Sequence, residues 1–293
     1  MGFEFMGYHR PDGRVGSRNL VGVIPSVTCA NDVAQAIVTE VQGTVGYFHH
    51  QGCCQLPPDL DRVTETLTSL GQSPNLGAVL IVSLGCEGTD FEKMYKTIEA
   101  SGKPVRIIGI QELGGVSNAI QKGIDLAREL VIEISGQKRE PTPIDKAVMA
   151  IKCGASDTTS GMASNCVIGY IADKLVDLGA TVIFGETTEF IGGEHLLARR
   201  AVTPEVGQKI FDIVNAMEAR AKSLGCDMRK GQPTPGNIAG GLSSIEEKTL
   251  GAIVKSGTRP IQGVLDYPEL VTSHKGLWIK DTPGREPEIL TGM

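Results

Sequence analysis

A chain of 293 residues with 41% hydrophobic and 21% charged residues has enough apolar content for one large domain or two ordinary ones. Its formal net charge of −6, with no basic run to offset it, argues against a nucleic-acid partner. No apolar run reaches the roughly 18–20 residues of a membrane span, and the opening MGFEFMGYHRPDGRVGSRN lacks the layout of a secretory leader, so a cytoplasmic protein with no membrane partner is expected.

The first 19 residues, polar and rich in Gly and Arg, predict an ordered loop or arm. From Leu20 onward strands and helices alternate. LVGVIPS (20–26) predicts a buried strand, and Asn31 or Asp32 caps a helix through DVAQAIVTEV. A strand at GTVGYF (43–48) and a helix through 59–71 follow. Next come a strand at GAVLIVSLG (77–85), a helix from Phe91, a strand at PVRIIGI (104–110) and a long helix over 116–135. KREPTPIDK (138–146) is charged, proline-bearing and poor in apolar residues, which places a domain boundary there. The pattern then restarts with a strand at AVMAIK (147–152), a glycine-rich loop, a helix from Cys166 and a strand at ATVIFGE (180–186). Helices near 193–200 and over 204–224, a loop containing QPTPGN and a helix around SSIEEKTLGAIVKSG complete the reading. The expected architecture is α/β: two Rossmann-like lobes, 1–140 and 141–293, with mainly parallel sheets and an active site at the carboxyl ends of strands between them. The halves resemble each other weakly, with Asn31 and Asn165, and Cys29 and Cys166, in equivalent places, as a duplication or generic βαβ geometry gives.

The 37 glycines point to tight turns and close backbone approaches around a small polar ligand. Seven cysteines in a reducing compartment are not expected to be structural disulfides, and their places matter more than their number. Cys53, Cys86 and Cys153 fall at strand ends, the edge where parallel α/β sheets bind ligands, and His49 or His50 lies beside the first. Soft thiolates with an imidazole suit iron or an iron–sulfur centre, although Cys is also a common space-filler and no compact metal spacing is present. GASDTTSG (154–161) offers backbone N–H groups, Asp157 and Ser160 to an anionic group, or is a well-capped turn. GETTEFIGGEH (185–195) clusters Glu186, Glu189, Glu194 and His195 as general acid/base groups or hard metal ligands, with Glu194 also readable as helix capping. QPTPGNIAGG presents Asn237, and Lys248 follows on a helix where a solvated role is ordinary. Cys226 reads as incidental, and His9 and His274 have no convincing neighbours.

GYHRPDGRVGSRN (7–19), the H-x-x-G-C at 49–53, VSLGCE (82–87), KCGASDTTSG (152–161), GETTEFIGGEHLLARRA (185–201), PTPGNIAGGLSSIEEKTLG (233–251) and GLWIKDTPG (276–284) together resemble the altronate/galactarate dehydratase family. The large subunit of sulfolactate sulfo-lyase is among that family's relatives. The resemblance implies a metal-dependent hydro-lyase that converts a sugar acid to a 2-keto-3-deoxy acid, commonly with Fe2+, another divalent metal or an iron–sulfur cluster being the alternatives. It implies His49, Cys53, Cys86 and Cys153 around the metal. Asp157, Ser160, Asn165, Asn237 and Lys248 would hold substrate, with Glu186, Glu189 and His195 in proton transfer. A small N-terminal-type partner subunit and a homo-oligomer are expected with it. Two readings stand beside it: sulfite elimination from sulfolactate, which SDTTSG, GGEHL and IEEK fit, and a non-catalytic subunit that binds a sugar acid. The chain departs from the family pattern at Cys166, where Pro is common, and at Ile238, where Lys is common. Further glycine-rich loops are expected beyond LTGM, as in a piece of a longer protein.

Overall fold

The computed structural model describes residues 2–272, 275–285 and 289–291. His274 lies outside the described residues. The chain divides into two units, Glu4–Thr142 and Pro143–Met293 together with residues 1–3. Each is described by itself.

In the N-terminal unit the strands are β1 (Glu4–His9), β2 (Val15–Gly16), β3 (Leu20–Pro25), β4 (Thr44–Gly46), β5 (Leu76–Ser83), β6 (Val105–Gly109) and β7 (Glu140–Pro143), which ends at the unit boundary. The helices are α1 (Asn31–Glu40), α2 (Pro57–Gly71), α3 (Phe91–Glu99) and α4 (Val116–Ser135). The main sheet has the order β4-β3-β5-β6 with every pair parallel. Strand β5 is buried along its whole length, as a two-face-covered parallel strand must be. Its alternate residues serve different cores. Ala78, Leu80 and Val82 pack with Ile37 of α1 and Leu130 of α4, whereas Val79 and Ile81 pack with Leu67 of α2 and Ile98 of α3. The chain goes from β3 to β4 on one side, then returns past β3 to β5 on the other. Strand order therefore reverses between β3 and β5, the switch point at which open parallel sheets bind ligands.

A second, three-stranded sheet runs β2-β1-β7. The opening segment is thus partly strand rather than an arm, and 138–146, within which the boundary between the two units falls, also holds a strand. Neither segment has the apolar run of a buried strand. Their pairing partners lie more than a hundred residues apart, which local pattern does not reveal. Arg10 fastens this part: its guanidinium donates to Pro74 O (2.7 Å), Asn19 Oδ1 (2.9 Å), Gln137 Oε1 (2.6 Å) and Arg18 O (2.9 Å).

In the second unit the strands are β8 (Val148–Ile151), β9 (Thr181–Phe184), β10 (Ile261–Leu265) and β11 (Gly276–Lys280), in the parallel order β10-β11-β9-β8. The helices are α5 (Asn165–Asp177), α6 (Glu194–Ala198), α7 (Pro204–Ser223), α8 (Met228–Gly231), α9 (Pro235–Ala239) and α10 (Ile245–Ile253). Strands β10 and β11 were not foreseen, and β11 takes the place beside β9. QPTPGN contains the short helix α9, whose N-terminus is closed by a reciprocal capping box between Thr234 and Asn237. Phe184 and Phe190 meet edge to face, 5.6 Å apart, in a core with Val182, Ile210, Leu277 and Ile279.

Close backbone approach sets one packing point. A Cβ built on Gly169 of α5 lies 2.3 Å from the carbonyl oxygen of Val254, nearer than any real contact allows. Gly169→Ala is expected to destabilise the second unit by about 1–3 kcal/mol, the usual cost of overpacking. Gly136→Ala, whose added Cβ meets nothing within 4 Å, serves as the control. Urea unfolding followed by tryptophan fluorescence of Trp278 checks this, and equal midpoints for both variants would contradict the packing.

Candidate active site

Strand ends build both candidate regions. In the second unit the loops after β8, β9 and β11 meet. The main chain after β9 turns through Glu186, which adopts a left-handed φ of 72° that a non-glycine residue rarely takes. Several bonds hold it there. Thr282 Oγ1 accepts from Glu186 N (2.8 Å), and Thr282 O accepts from Thr187 N (2.9 Å). Asp281 Oδ1 accepts from Thr187 Oγ1 (2.7 Å), and Glu186 Oε2 accepts from Cys153 N (2.9 Å).

The counter-charge for Glu186 is Lys255, a residue sequence reasoning missed. Lys255 is wholly buried and pairs directly with the Glu186 carboxylate. It also donates to Cys153 Sγ at 3.0 Å. Burial opposes its charge, but Cys153 and Glu186 outweigh that and hold the ammonium pKa above its ordinary value. Burial pushes the Cys153 thiol up, against the pull of Lys255. Asn165, also buried, points Nδ2 at Cys153 Sγ (3.8 Å) and Gly251 O (2.8 Å). A lysine in the apolar run GAIVKS, ahead of a strand, was the available signal, because a buried Glu at a strand end requires a cation.

Above this cluster lies a cleft of about 310 Å³ lined by Asp157, Ser160, Gly161, Leu242, Lys248 and Gly251, among others. Ser160–Ser164 is a π-helical turn leading into α5. Asp157 caps it: Oδ1 accepts from Ser160 N (2.6 Å) and Thr159 Oγ1 (2.8 Å), bonds that lower its pKa. Asn237 ties the α9 segment to the same loop, with Nδ2 donating to Ser156 O (2.8 Å) and Oδ1 accepting from Thr234 N (3.0 Å). Asp157 lines the cleft, whereas Asn237 braces the loop behind it. Lys248 is different. Its ammonium lies 3.1 Å from Glu189 Oε1 and donates to Gln232 Oε1 at 2.6 Å. Glu189 Oε2 is buried without a hydrogen-bond partner among the described residues. His195 is exposed at the start of α6.

In the N-terminal unit, Cys53 and Cys86 share an edge with Cys29 and Cys54, and all four are exposed. Cys53 and Cys54 have their sulfurs 3.5 Å apart. Contact with Cys54 first, then its charge, a little burial, and the charges of Cys29 and Cys86 raise the Cys53 pKa. His49 lies below them with both ring nitrogens used: Nε2 is 2.7 Å from Pro25 O, and Nδ1 accepts from Gln51 N (3.2 Å). Burial lowers its pKa, which leaves the ring neutral.

Iron, which the resemblance implies, finds soft donors of the right kind in these exposed thiols. Among the described residues, no three His, Cys, Asp or Glu side chains converge on one ion as they stand. His49 has no free lone pair, and Cys153, in the other unit, is engaged by Lys255.

The profile described as D-galactarate/altronate dehydratase, C-terminal, matches residues 144–293. That described as the second domain of D-galactarate dehydratase/altronate hydrolase matches 7–135. The chain belongs to this family. Subunit beta of (2R)-sulfolactate sulfo-lyase from Chromohalobacter salexigens is 41% identical over 99% of this chain and 74% of its own length. Altronate dehydratase of Bacillus subtilis is 31% identical over 96% of this chain, and galactarate dehydratase of Escherichia coli 32% over 97%. This chain spans 58% of each of those two dehydratases. The relatives are lyases that break carbon–oxygen or carbon–sulfur bonds. Among the described residues no helix is long and apolar enough to cross a membrane.

Two outcomes follow from the buried groups. Lys255→Met leaves the Glu186 carboxylate buried and unpaired, at an expected cost of about 3–5 kcal/mol. Adding Glu186→Gln should recover much of the loss, and a thermal-unfolding double-mutant cycle without that recovery would contradict direct pairing. For His49, the folded pKa lies below the ordinary 6.5, so the unfolded chain binds the proton first. Its stabilising share is present above about pH 6.5 and is lost as pH falls through the folded value. His49→Gln should flatten that part of the stability–pH curve.

Proposed function

We propose that this chain carries the elimination chemistry of a metal-dependent lyase acting on a small 2-hydroxy acid, with sulfite leaving from a sulfolactate-type substrate. The observation that carries the reading is the Glu189–Lys248 pair, whose Lys248 lines the cleft and whose Glu189 has one carboxylate oxygen without a partner among the described residues. A half-buried carboxylate with a free acceptor oxygen, beside a fixed ammonium, supports removal of a proton next to a carboxylate.

The chemistry runs in this order. Lys248 holds the substrate carboxylate and stabilises the charge that grows on it as the proton leaves. Glu189 Oε2 takes the proton from C2. The released electron pair forms the C2–C3 double bond, and the C3–S bond breaks with its pair leaving on sulfite. The enol then tautomerises to the 2-keto acid. Backbone around Asp157 and Ser160 meets the anionic end, in a loop kept in shape by the Asp157 and Asn237 bonds. Glu186 is committed to Lys255 and serves as a support rather than the base. Bound iron supplies Lewis acidity toward carboxylate and hydroxyl. Of the residues expected to hold it, Cys53 and Cys86 present free thiols.

Identity of 41% to a sulfo-lyase subunit, against 31–32% to the two dehydratases, favours sulfite as leaving group. The second reading keeps every residue in place and loses hydroxide from C3 of a sugar acid. It is supported by the dehydratases' match over nearly the whole chain. The name of a subunit beta supports assembly with a small partner subunit.

The test is to supply ferrous iron and the partner subunit, then assay sulfolactate, altronate and galactarate separately. Sulfite and a 2-keto acid are expected from sulfolactate. Glu189→Gln should lower kcat by about 10²–10⁴-fold with KM little changed, whereas Lys248→Met should chiefly raise KM. Full activity in Glu189→Gln would remove the base. Tight acid binding with no 2-keto product would make this a binding subunit.

A further inference from the structure

Lys248 stands on α10 with two acceptors in reach. Its ammonium donates to Gln232 Oε1 at 2.6 Å and lies farther, at 3.1 Å, from Glu189 Oε1. The lysine and glutamate side chains are only 11% and 14% exposed, so water competes weakly for these contacts. An ammonium can only donate, so the Gln232 atom that faces it is the amide oxygen. On the far side of the pair, Glu189 Oε2 has no hydrogen-bond partner among the described residues.

Gln232 is itself held from both directions. Ahead of it, α8 is pinned to α7 where Arg229 Nε donates to Oε1 of the buried Glu218 (2.8 Å), and Asp227 Oδ1 accepts from Arg229 N (3.0 Å). Behind it comes Pro233, which confines the preceding residue to extended backbone, and Gln232 complies with φ −132° and ψ 143°. The α9 segment is then tied to the loop after β8. Asn237 Nδ2 donates to Ser156 O (2.8 Å), and Thr158 N donates to Gly240 O (3.1 Å). At Gly241, where φ is +96°, an added Cβ would lie 2.5 Å from Thr158 Oγ1, so the two segments meet with no room for a side chain. The stretch from Arg229 to Gly241 is thus a fixed wall that aims one amide at Lys248.

We infer that Gln232 is a positioning residue, which holds the Lys248 ammonium off Glu189 and so keeps Glu189 Oε2 free to take a proton. The inference rests on the elimination reading above and adds a residue to it. An ammonium has three N–H groups, and a carboxylate is a stronger acceptor for them than a neutral amide. With Glu189 alone in reach, the pair would close over both carboxylate oxygens. The base would then be blocked, and the ammonium's charge would be taken up by Glu189 instead of the substrate carboxylate. An amide oxygen takes one N–H at short range without adding negative charge, which leaves the cation's pull on an anionic substrate intact. Gln232 does not line the cleft, so its effect passes through Lys248, which does.

Two measurements on the full chain test this. The first needs no turnover. Coupling between Lys248 and Glu189 is read from Lys248→Met, Glu189→Gln and the double variant, with urea midpoints followed through Trp278 fluorescence. In a Gln232→Met background the same cycle should give a larger coupling, because the pair has closed. Equal or smaller coupling there would overturn the assignment. The second uses the chain with ferrous iron and the partner subunit, on whichever of the three acids it turns over. Gln232→Met should lower kcat about 10–100-fold, the worth of a hydrogen bond to a charged group, with KM rising far less. Gln232→Glu returns an acceptor oxygen at the same reach. It should recover most of that kcat while raising KM, since a second carboxylate opposes an anionic substrate. A glutamine that only shaped the wall would fail alike in both variants, so equal losses, or an unchanged kcat in Gln232→Met, would also overturn the assignment. Should Gln232→Met not fold, Gln232→Asn, whose carbonyl stops one methylene short, is read by the same criteria. If no acid is turned over, the elimination reading fails by itself and the coupling still decides the place of Gln232.

Discussion

A parallel sheet covered by helices on both faces has nowhere to place chemistry except the ends of its strands. That constraint governs both units. Strand β5 is buried from Leu76 to Ser83, with alternate side chains feeding two cores, so its first chemically accessible residues lie in the loop that follows. The same holds in the second unit, where β9 is buried throughout and Glu186 is the second residue beyond it. Functional groups therefore collect where several strands stop together, and the loops there must be held by something other than the sheet.

The two units meet that requirement differently. The N-terminal unit laces its loops with neutral backbone bonds and one well-solvated-in-kind carboxylate, Glu87, whose pKa is kept low by Ser26, Gly85 and Leu84 despite its burial. The second unit uses charge. Lys255 and Glu186 are both removed from water, an arrangement that costs much in desolvation and is sustained only because each charged group finds several partners. Its consequence is geometric. The pair holds the left-handed turn at Glu186, and three residues later that turn delivers Glu189 to Lys248. Cys153 belongs to this support, its sulfur facing an ammonium.

Much of the architecture was legible in the sequence because it follows from local periodicity. The span 116–135 forms a helix as its apolar spacing requires, and LVGVIP and GAVLIVS form buried parallel strands. Residues 4–9, read as loop or arm, and 140–143, read only as lying at a domain boundary, are strands of one sheet far apart in the chain, and neither carries a buried apolar run. Strands β10 and β11 were missed in a glycine- and proline-broken stretch where a strand of five residues leaves a weak mark.

The chemistry divides along the same line. Sequence alone determined which residue types stand at strand ends, and through its long motifs it determined the family, because identity and order along the chain survive without coordinates. It placed Cys53, Cys86, Asp157 and Glu189 in loops and Lys248 on a helix, but residue types do not say which partner each side chain takes. Tertiary structure decided that Asp157 spends its hydrogen bonds on its own loop, that Asn237 ties the α9 segment to that loop, and that both His49 nitrogens are used. It also brought Lys255, 102 residues distant in sequence, to Cys153. Such pairings are set by where a buried charge finds its counter-charge, which is a property of the folded interior and of no local stretch of chain.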